Sequence, residues 1–275
     1  MRTETEWVEK LCAPKKEERL LALRQLKNML ERGELPQPVR TSDTNNHVHT
    51  TYSFSPYSPT AAIYKAYMVG LCTVGIVDHD SIAGAREFIE AGEILGITTT
   101  IGAEVRVSLT DTPLQGRRVN SPDELNVAYI ALHGIPHDQI DALDILLSRI
   151  RSLRNARNRE QVERLNQILC PHGIALDFQK DILPVSMAAE GGSVTERHIL
   201  FALADKLMEK YGRGQALIDF LGNRMGIHMN EKVCGMLLDT EFYAYAYDVL
   251  NVLKTELVPR FYIAGGADSL PVREV

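Results

Sequence analysis

An α/β fold with a mainly parallel sheet follows from three features of this chain. From Thr41 onward, short apolar runs suited to strands alternate with runs at helical spacing. Side chains able to hold metal ions fall at the ends of successive strand runs, where open α/β sheets gather their sites. Finally, 275 residues, 45% hydrophobic and 24% charged, suffice for one barrel-sized core.

The elements follow in order. Residues 15–32 place Leu20, Leu23, Leu26 and Leu30 at helical spacing, with Gly33 closing the run, so an amphipathic helix precedes the main domain. Leu35-Pro36-Gln37-Pro38 breaks it, which sets residues 1–38 apart as a helical extension of a 39–275 domain. A strand is expected near 45–50, then a helix opening at Ser58-Pro59 with proline in its first turn. Residues 72–78 read as a buried strand, and 81–96 as a helix with Ser81 as N-cap and Gly96 past its end. Residues 98–107 and 127–132 are two further strands. Strand–helix alternation predicts that they pair in parallel through right-handed crossovers. Residues 139–257 form a mostly helical insertion, opening with one long or one broken helix to Leu169. Residues 260–268 read as a single late strand, with Gly265-Gly266 as a turn.

Charge and composition exclude some functions. A net charge of −6 gives no whole-molecule attraction to nucleic acid or anionic lipid. No run approaches the ~20 apolar residues of a membrane helix, and the charged first residues carry no apolar signal core. Cys12, Cys72, Cys170 and Cys234 lie far apart with no Cys-x-x-Cys pair, as reduced thiols would. The expected compartment is the cytoplasm.

The chemistry concentrates on three strand ends. His47 and His49, at i and i+2 on a strand, point to one face. Asp78-His79-Asp80 closes the next strand, and Glu104 lies near the end of the third. Each piece alone has a bland reading: a packed histidine, a helix cap, a solvated glutamate. Three at consecutive strand ends point instead to a zinc, manganese or iron centre, since imidazole plus carboxylate suits those ions.

These residues resemble a known family. His47 to Pro59, then Val74 to Gly84, then Ile101 to Val105, are similar to the first three motifs of the polymerase and histidinol phosphatase (PHP) family. The nearest branch is that of its small nucleotide and RNA phosphoesterases. Thr195-Glu196-Arg197-His198-Ile199 resembles the family's Arg-x-His-Ile helix start. The resemblance implies a distorted (β/α)7 TIM-like barrel and a metal-dependent phosphoesterase. Such an enzyme hydrolyses a phosphomonoester, a nucleotide or an oligonucleotide end through a hydroxide generated on two divalent cations (zinc, manganese or iron). His47 and His49 would hold the first, Glu104 would bridge, His198 would complete the second, and His79 would serve a third. His47, His49 and Glu104 would then be the catalytic centre.

The pattern departs from the family at three places. Phe54 stands where the family has an aspartate ligand, which weakens the third site. Near Asn126 and Ala128 the family has a histidine; His133 and His137 follow closely and could reach in. The late Asp-x-His motif is missing, and Asp268 stands alone. Asp78 is a further candidate ligand. Five strand runs against the family's seven lead to the expectation of a C-terminally incomplete barrel.

Arg149, Arg151, Arg154, Arg157, Arg159 and Arg164 crowd one stretch. Its bland reading is a solvated helix face; the sharper one has Arg154 and Arg157 binding a substrate phosphate, for which the planar guanidinium is suited. The expected partner is a small phosphorylated substrate, or a short oligonucleotide, and no membrane; the oligomeric state is not fixed. The competing reading is a degenerate PHP module that binds metal or a phosphorylated ligand without turnover. An amidohydrolase-like barrel is weaker, since no lysine stands at a strand end to bridge metals.

Overall fold

The computed structural model describes residues 3–121, 124–264 and 268–275. Internal packing divides the chain into two units. One comprises residues 1–152, 187–193 and 266–275; the other comprises 153–186 and 194–265.

The first unit holds the sheet. β1 (Thr44–Val48), β2 (Thr73–His79), β3 (Thr98–Ser108) and β4 (Val127–His133) lie in that order, and β5 (Leu270–Pro271) pairs with β3. β1–β2 and β2–β3 are parallel, with His79 directly opposite Glu104. The fold is α/β, a five-stranded mixed sheet with helices packed against it.

Parallel pairing is not sustained, because β4 runs antiparallel to β3. The reason lies in the connection: among the described residues, 109–126 contain no helix. A parallel return needs a crossover, usually helical, whereas an antiparallel return needs only a loop.

The crossover helices follow from their caps. α3 (Pro59–Met68) opens on Ser58, whose hydroxyl accepts from the Ala61 N–H, with Pro59 in the first turn. α4 (Ala85–Leu95) ends at Gly96, whose φ of 69° is left-handed and suits glycine. Ser81, however, does not cap α4. Its hydroxyl donates to the Gly191 carbonyl at 2.7 Å, and the helix starts only after Gly84.

The N-terminal helices α1 (Glu4–Lys10) and α2 (Lys16–Glu31) join the same core. Leu11, Leu20, Leu23, Leu26 and Leu30 are buried with Ile63, Val74, Phe88 and Ile101. Beneath α2, the Arg19 guanidinium donates to both Glu87 oxygens (Nε 2.9 Å, Nη2 2.5 Å), and Thr60 donates to the same carboxylate. A paired, hydrogen-bonded carboxylate of this kind is tolerated in a core where a lone charge would not be.

The second unit is helical. α5 (Ile140–Leu169) is one unbroken 30-residue helix that enters it from the first unit at residue 153. α6 (Glu196–Tyr211), α7 (Gln215–Asp219), α8 (Glu231–Leu238) and α9 (Tyr245–Phe261) complete the unit. Tyr245 is fully buried, its hydroxyl donating to the Leu237 carbonyl and accepting from Gly214 N–H, while Tyr243 is exposed. Among the described residues of 260–268, the expected strand does not form. Leu250, Leu253, Leu257 and Phe261 keep helical spacing and are buried, so α9 runs on through Pro259. The only strand residues after it are Leu270 and Pro271, among those described. The turn read at Gly265-Gly266 lies outside the described residues.

Candidate metal centre

The centre begins with strand geometry. β1 delivers His47, and His49 follows one residue past its end on the same side. Parallel register then sets His79 of β2 beside Glu104 of β3, and the Asp80 N–H donates to the Glu104 carbonyl at 2.9 Å. The turns leaving β1 and β2 each contain a non-glycine residue in left-handed backbone, Phe54 (φ 80°) and Asp80 (φ 48°). Strained backbone of this sort gathers at functional sites.

The donor atoms converge. His47 Nε2 and His49 Nε2 are 3.2 Å apart, and each lies 3.4 Å from Glu104 Oε2. Ligands about 2.0–2.1 Å from a tetrahedral zinc are separated by roughly 3.3–3.4 Å. The three atoms therefore already occupy three corners of a zinc-sized tetrahedron. His79 Nδ1 reaches the same Glu104 oxygen at 3.4 Å, and its ring stacks on His49 with centroids 4.6 Å apart. The His47 side chain is 51% exposed, so the cluster sits at a rim that water can reach.

Electrostatics prepare the carboxylate. Burial alone would raise the Glu104 pKa, but the His49 imidazole in contact with it and the nearby His79 and His47 hold it below the ordinary carboxylate range. Glu104 is thus anionic at neutral pH.

The other expected residues fall elsewhere. Asp78 turns inward and is buried. Its carboxylate accepts from Thr50 N–H (2.6 Å), Thr50 O–H (2.5 Å) and Ser53 O–H (2.5 Å), so it anchors the turn after β1 and is not among the clustered donors. Burial pushes its pKa up while those three donors oppose the shift. His133 is exposed opposite Gly102, and His137 is exposed on the turn His137–Gln139; neither joins the group of close donor atoms among the described residues. Asp268 is buried and pairs with the Arg106 guanidinium at 3.6 Å, which also meets Glu124. Its carboxylate serves this internal ion pair.

His198, Arg154 and Arg157 belong to the second unit. His198 is buried at the start of α6, where its Nδ1 accepts the Thr195 N–H at 3.0 Å. Burial is the main cause of a pKa lowered to about 3, with Glu196 opposing and Arg154 assisting. The ring is therefore neutral, and with Nδ1 engaged its hydrogen sits on Nε2. Ligation through Nε2 would require giving up the Thr195 contact. Arg154 is buried rather than solvated, and the Arg157 guanidinium lies 5.8 Å from the Tyr262 ring.

Sequence reasoning missed Thr50, Ser53, Arg106 and Glu124. Strand alternation could have found Arg106, two residues beyond Glu104 on the same face. The role of Ser53 depends on a tight turn that no periodicity announces.

The family profile described as "PHP domain" matches residues 45–179. The chain is 28% identical over 177 residues to the 5'-3' exoribonuclease of Haemophilus influenzae, covering 64% of this chain and 55% of that one. It is 36% identical over 66 residues to the error-prone DNA polymerase of Mycobacterium bovis, covering 23% of this chain and 6% of the polymerase. The chain thus spans about half of one curated relative and a small fraction of the other. Among solved structures, an amidohydrolase from Chromobacterium violaceum with bound sulfate superposes with a TM-score of 0.47 at 25% identity, over 60% of this chain and 50% of that one.

Proposed function

We propose that the chain is a metal-dependent phosphoesterase of the PHP type, with His47, His49 and Glu104 as its catalytic centre. The observation that carries this reading is the tetrahedron-sized spacing of those three donor atoms beside an exposed rim. The PHP profile over the same residues supports it. His47 and His49 offer nitrogen donors and Glu104 an anionic oxygen. His79, on the same carboxylate, is the candidate donor to a further cation. A divalent cation held here supplies Lewis acidity towards a phosphoryl oxygen and a water acidic enough to attack phosphorus near neutral pH.

The chain's own residues do the rest. Glu104, held anionic, offsets cation charge and ties β3 to the rim. His47, at the exposed edge, leaves one side of the centre free for substrate. The substrate class in this reading is a phosphomonoester, a nucleotide or an oligonucleotide end.

The test is hydrolysis of p-nitrophenyl phosphate and nucleoside phosphates with Mn²⁺ or Zn²⁺. His49→Ala and Glu104→Ala are each expected to cost about 10³-fold in rate, since a cation contributes several kcal/mol of transition-state stabilisation. Wild-type rates in both variants would exclude the assignment.

One observation favours a second reading. Phe54, whose ring cannot ligate, occupies the turn beside His49. A module that holds a single cation and binds a phosphorylated ligand without turnover fits that feature. Metal content separates the two: two or more ions per chain support the enzyme, and one or none supports the module.

A further inference from the structure

Ser53 has one hydroxyl hydrogen and two close partners, and the direction of those contacts sets the state of a metal-ligand candidate. Its Oγ lies 2.5 Å from Asp78 Oδ1 and 3.4 Å from His49 Nδ1. Oδ1 also accepts the Thr50 N–H at 2.6 Å, so it acts as an acceptor, and the Ser53 hydrogen must point to it. This holds whichever charge Asp78 carries, because an acid proton would sit on Oδ2, beside the Thr50 hydroxyl at 2.5 Å. With its hydrogen committed, Ser53 Oγ turns a lone pair to His49, and only an Nδ1–H can meet it. Nε2 then keeps its own lone pair, 3.2 Å from His47 Nε2, which can donate to it while no cation is bound. Ser53 and Asp78 are both buried, at 3% and 1% exposure, which leaves water little room to replace either partner.

We propose that Ser53, held by Asp78, is a positioning residue that locks His49 in the Nδ1–H tautomer and so presents its Nε2 lone pair to the cation. The functional meaning rests on the metal-centre reading above; the hydrogen-bond direction does not. Neutral imidazole in water favours the opposite tautomer, with hydrogen on Nε2, so without Ser53 the ligand atom would be blocked until the ring rearranged. Contacts of this kind to metal-bound histidines fix the tautomer and typically change metal affinity by about 10–100-fold.

The experiment is nitrogen-15 NMR of histidine-labelled, metal-free protein at about pH 8.5, where ordinary imidazoles are neutral. The His49 signals are assigned by their loss in His49→Gln. In the wild type, Nδ1 is expected to be the protonated nitrogen and Nε2 the bare one. Ser53→Ala should reverse or average that pattern and weaken Zn²⁺ binding, measured by chelator competition, by about 10–100-fold. Ser53→Thr, which keeps the hydroxyl, should restore both readouts. Thr50→Val removes the other hydroxyl from the same carboxylate; it should lower thermal stability yet leave the tautomer and the affinity alone. A wild-type His49 with bare Nδ1, or a Ser53→Ala protein with unchanged tautomer and affinity, would overturn the proposal. Wild-type protein that takes up no Zn²⁺ would instead overturn the metal centre, whatever the tautomer shows.

Discussion

Two residues apart on the same face of β3, Glu104 and Arg106 build opposite kinds of charged cluster. Glu104 sits at a rim, ringed by three imidazoles, one of them half exposed. Arg106 is sealed in the core, its guanidinium matched by Glu124 and Asp268, all three side chains almost fully buried. In the sealed cluster, charge is balanced by fixed partners that cannot be exchanged without desolvating something. At the rim the balancing groups are imidazoles, and water has access. Charged side chains on one strand therefore make a sealed ion pair in one place and a candidate cation site in the other, and exposure distinguishes the two.

Breaking each cluster should separate the two roles. The largest stability effect is expected for Arg106→Leu, which leaves two carboxylates buried without their partner: a loss of about 3–5 kcal/mol in chemical unfolding. Zn²⁺ affinity of the folded fraction should stay within a few-fold of wild type. Glu104→Gln should do the reverse. It removes the anionic ligand, so metal affinity should fall by roughly 100-fold or more, while stability without metal shifts by less than about 1 kcal/mol. If both substitutions changed the same property, the contrast between rim and core would be lost.

A smaller effect reports on the buried turn after β1. Burial is the first cause that pushes the Tyr52 phenol up to about 12, with Glu87 and Glu190 adding to it. Its folded pKa lies above the unfolded value near 10, so its contribution is complete below pH 10 and is lost as pH rises towards 12. Two pKa units correspond to at most about 2–3 kcal/mol. Tyr52→Phe should flatten the alkaline decline in stability over that window; an unchanged decline would place its origin elsewhere. The smallest effect belongs to a surface pair. Lys16 and Glu90 are 3.0 Å apart but both substantially exposed. Lys16→Ala should change stability by less than about 0.5 kcal/mol, and that little should vanish in high salt.

Most of the strand frame could be read from the sequence, because apolar runs and their caps are local signals. β1 to β3, α3 and the full length of α5 lie close to where periodicity puts them. β4 was readable as a strand but not as an antiparallel one, since direction depends on a connecting loop with no apolar period. The opening residues of the strand expected at 260–268 lie in a helix instead, because they are equally good there and Phe261 is buried at the spacing set by Leu253 and Leu257. Within the site, alternation at His47 and His49 and the strand-end positions of His79 and Glu104 were visible. The inward turn of Asp78 was not, because it depends on two hydroxyls arriving from the turn after β1. Asp268 likewise finds its partner, Arg106, far away in sequence.

The central claim is that His47, His49 and Glu104 share one cation. X-ray absorption at the zinc edge, on protein loaded with one equivalent of Zn²⁺, addresses it directly. The expected spectrum shows nitrogen and oxygen ligands at about 2.0–2.1 Å, with the scattering of at least two imidazoles, falling by one in His49→Ala. A spectrum dominated by sulfur, or one that His49→Ala leaves unchanged, would contradict it.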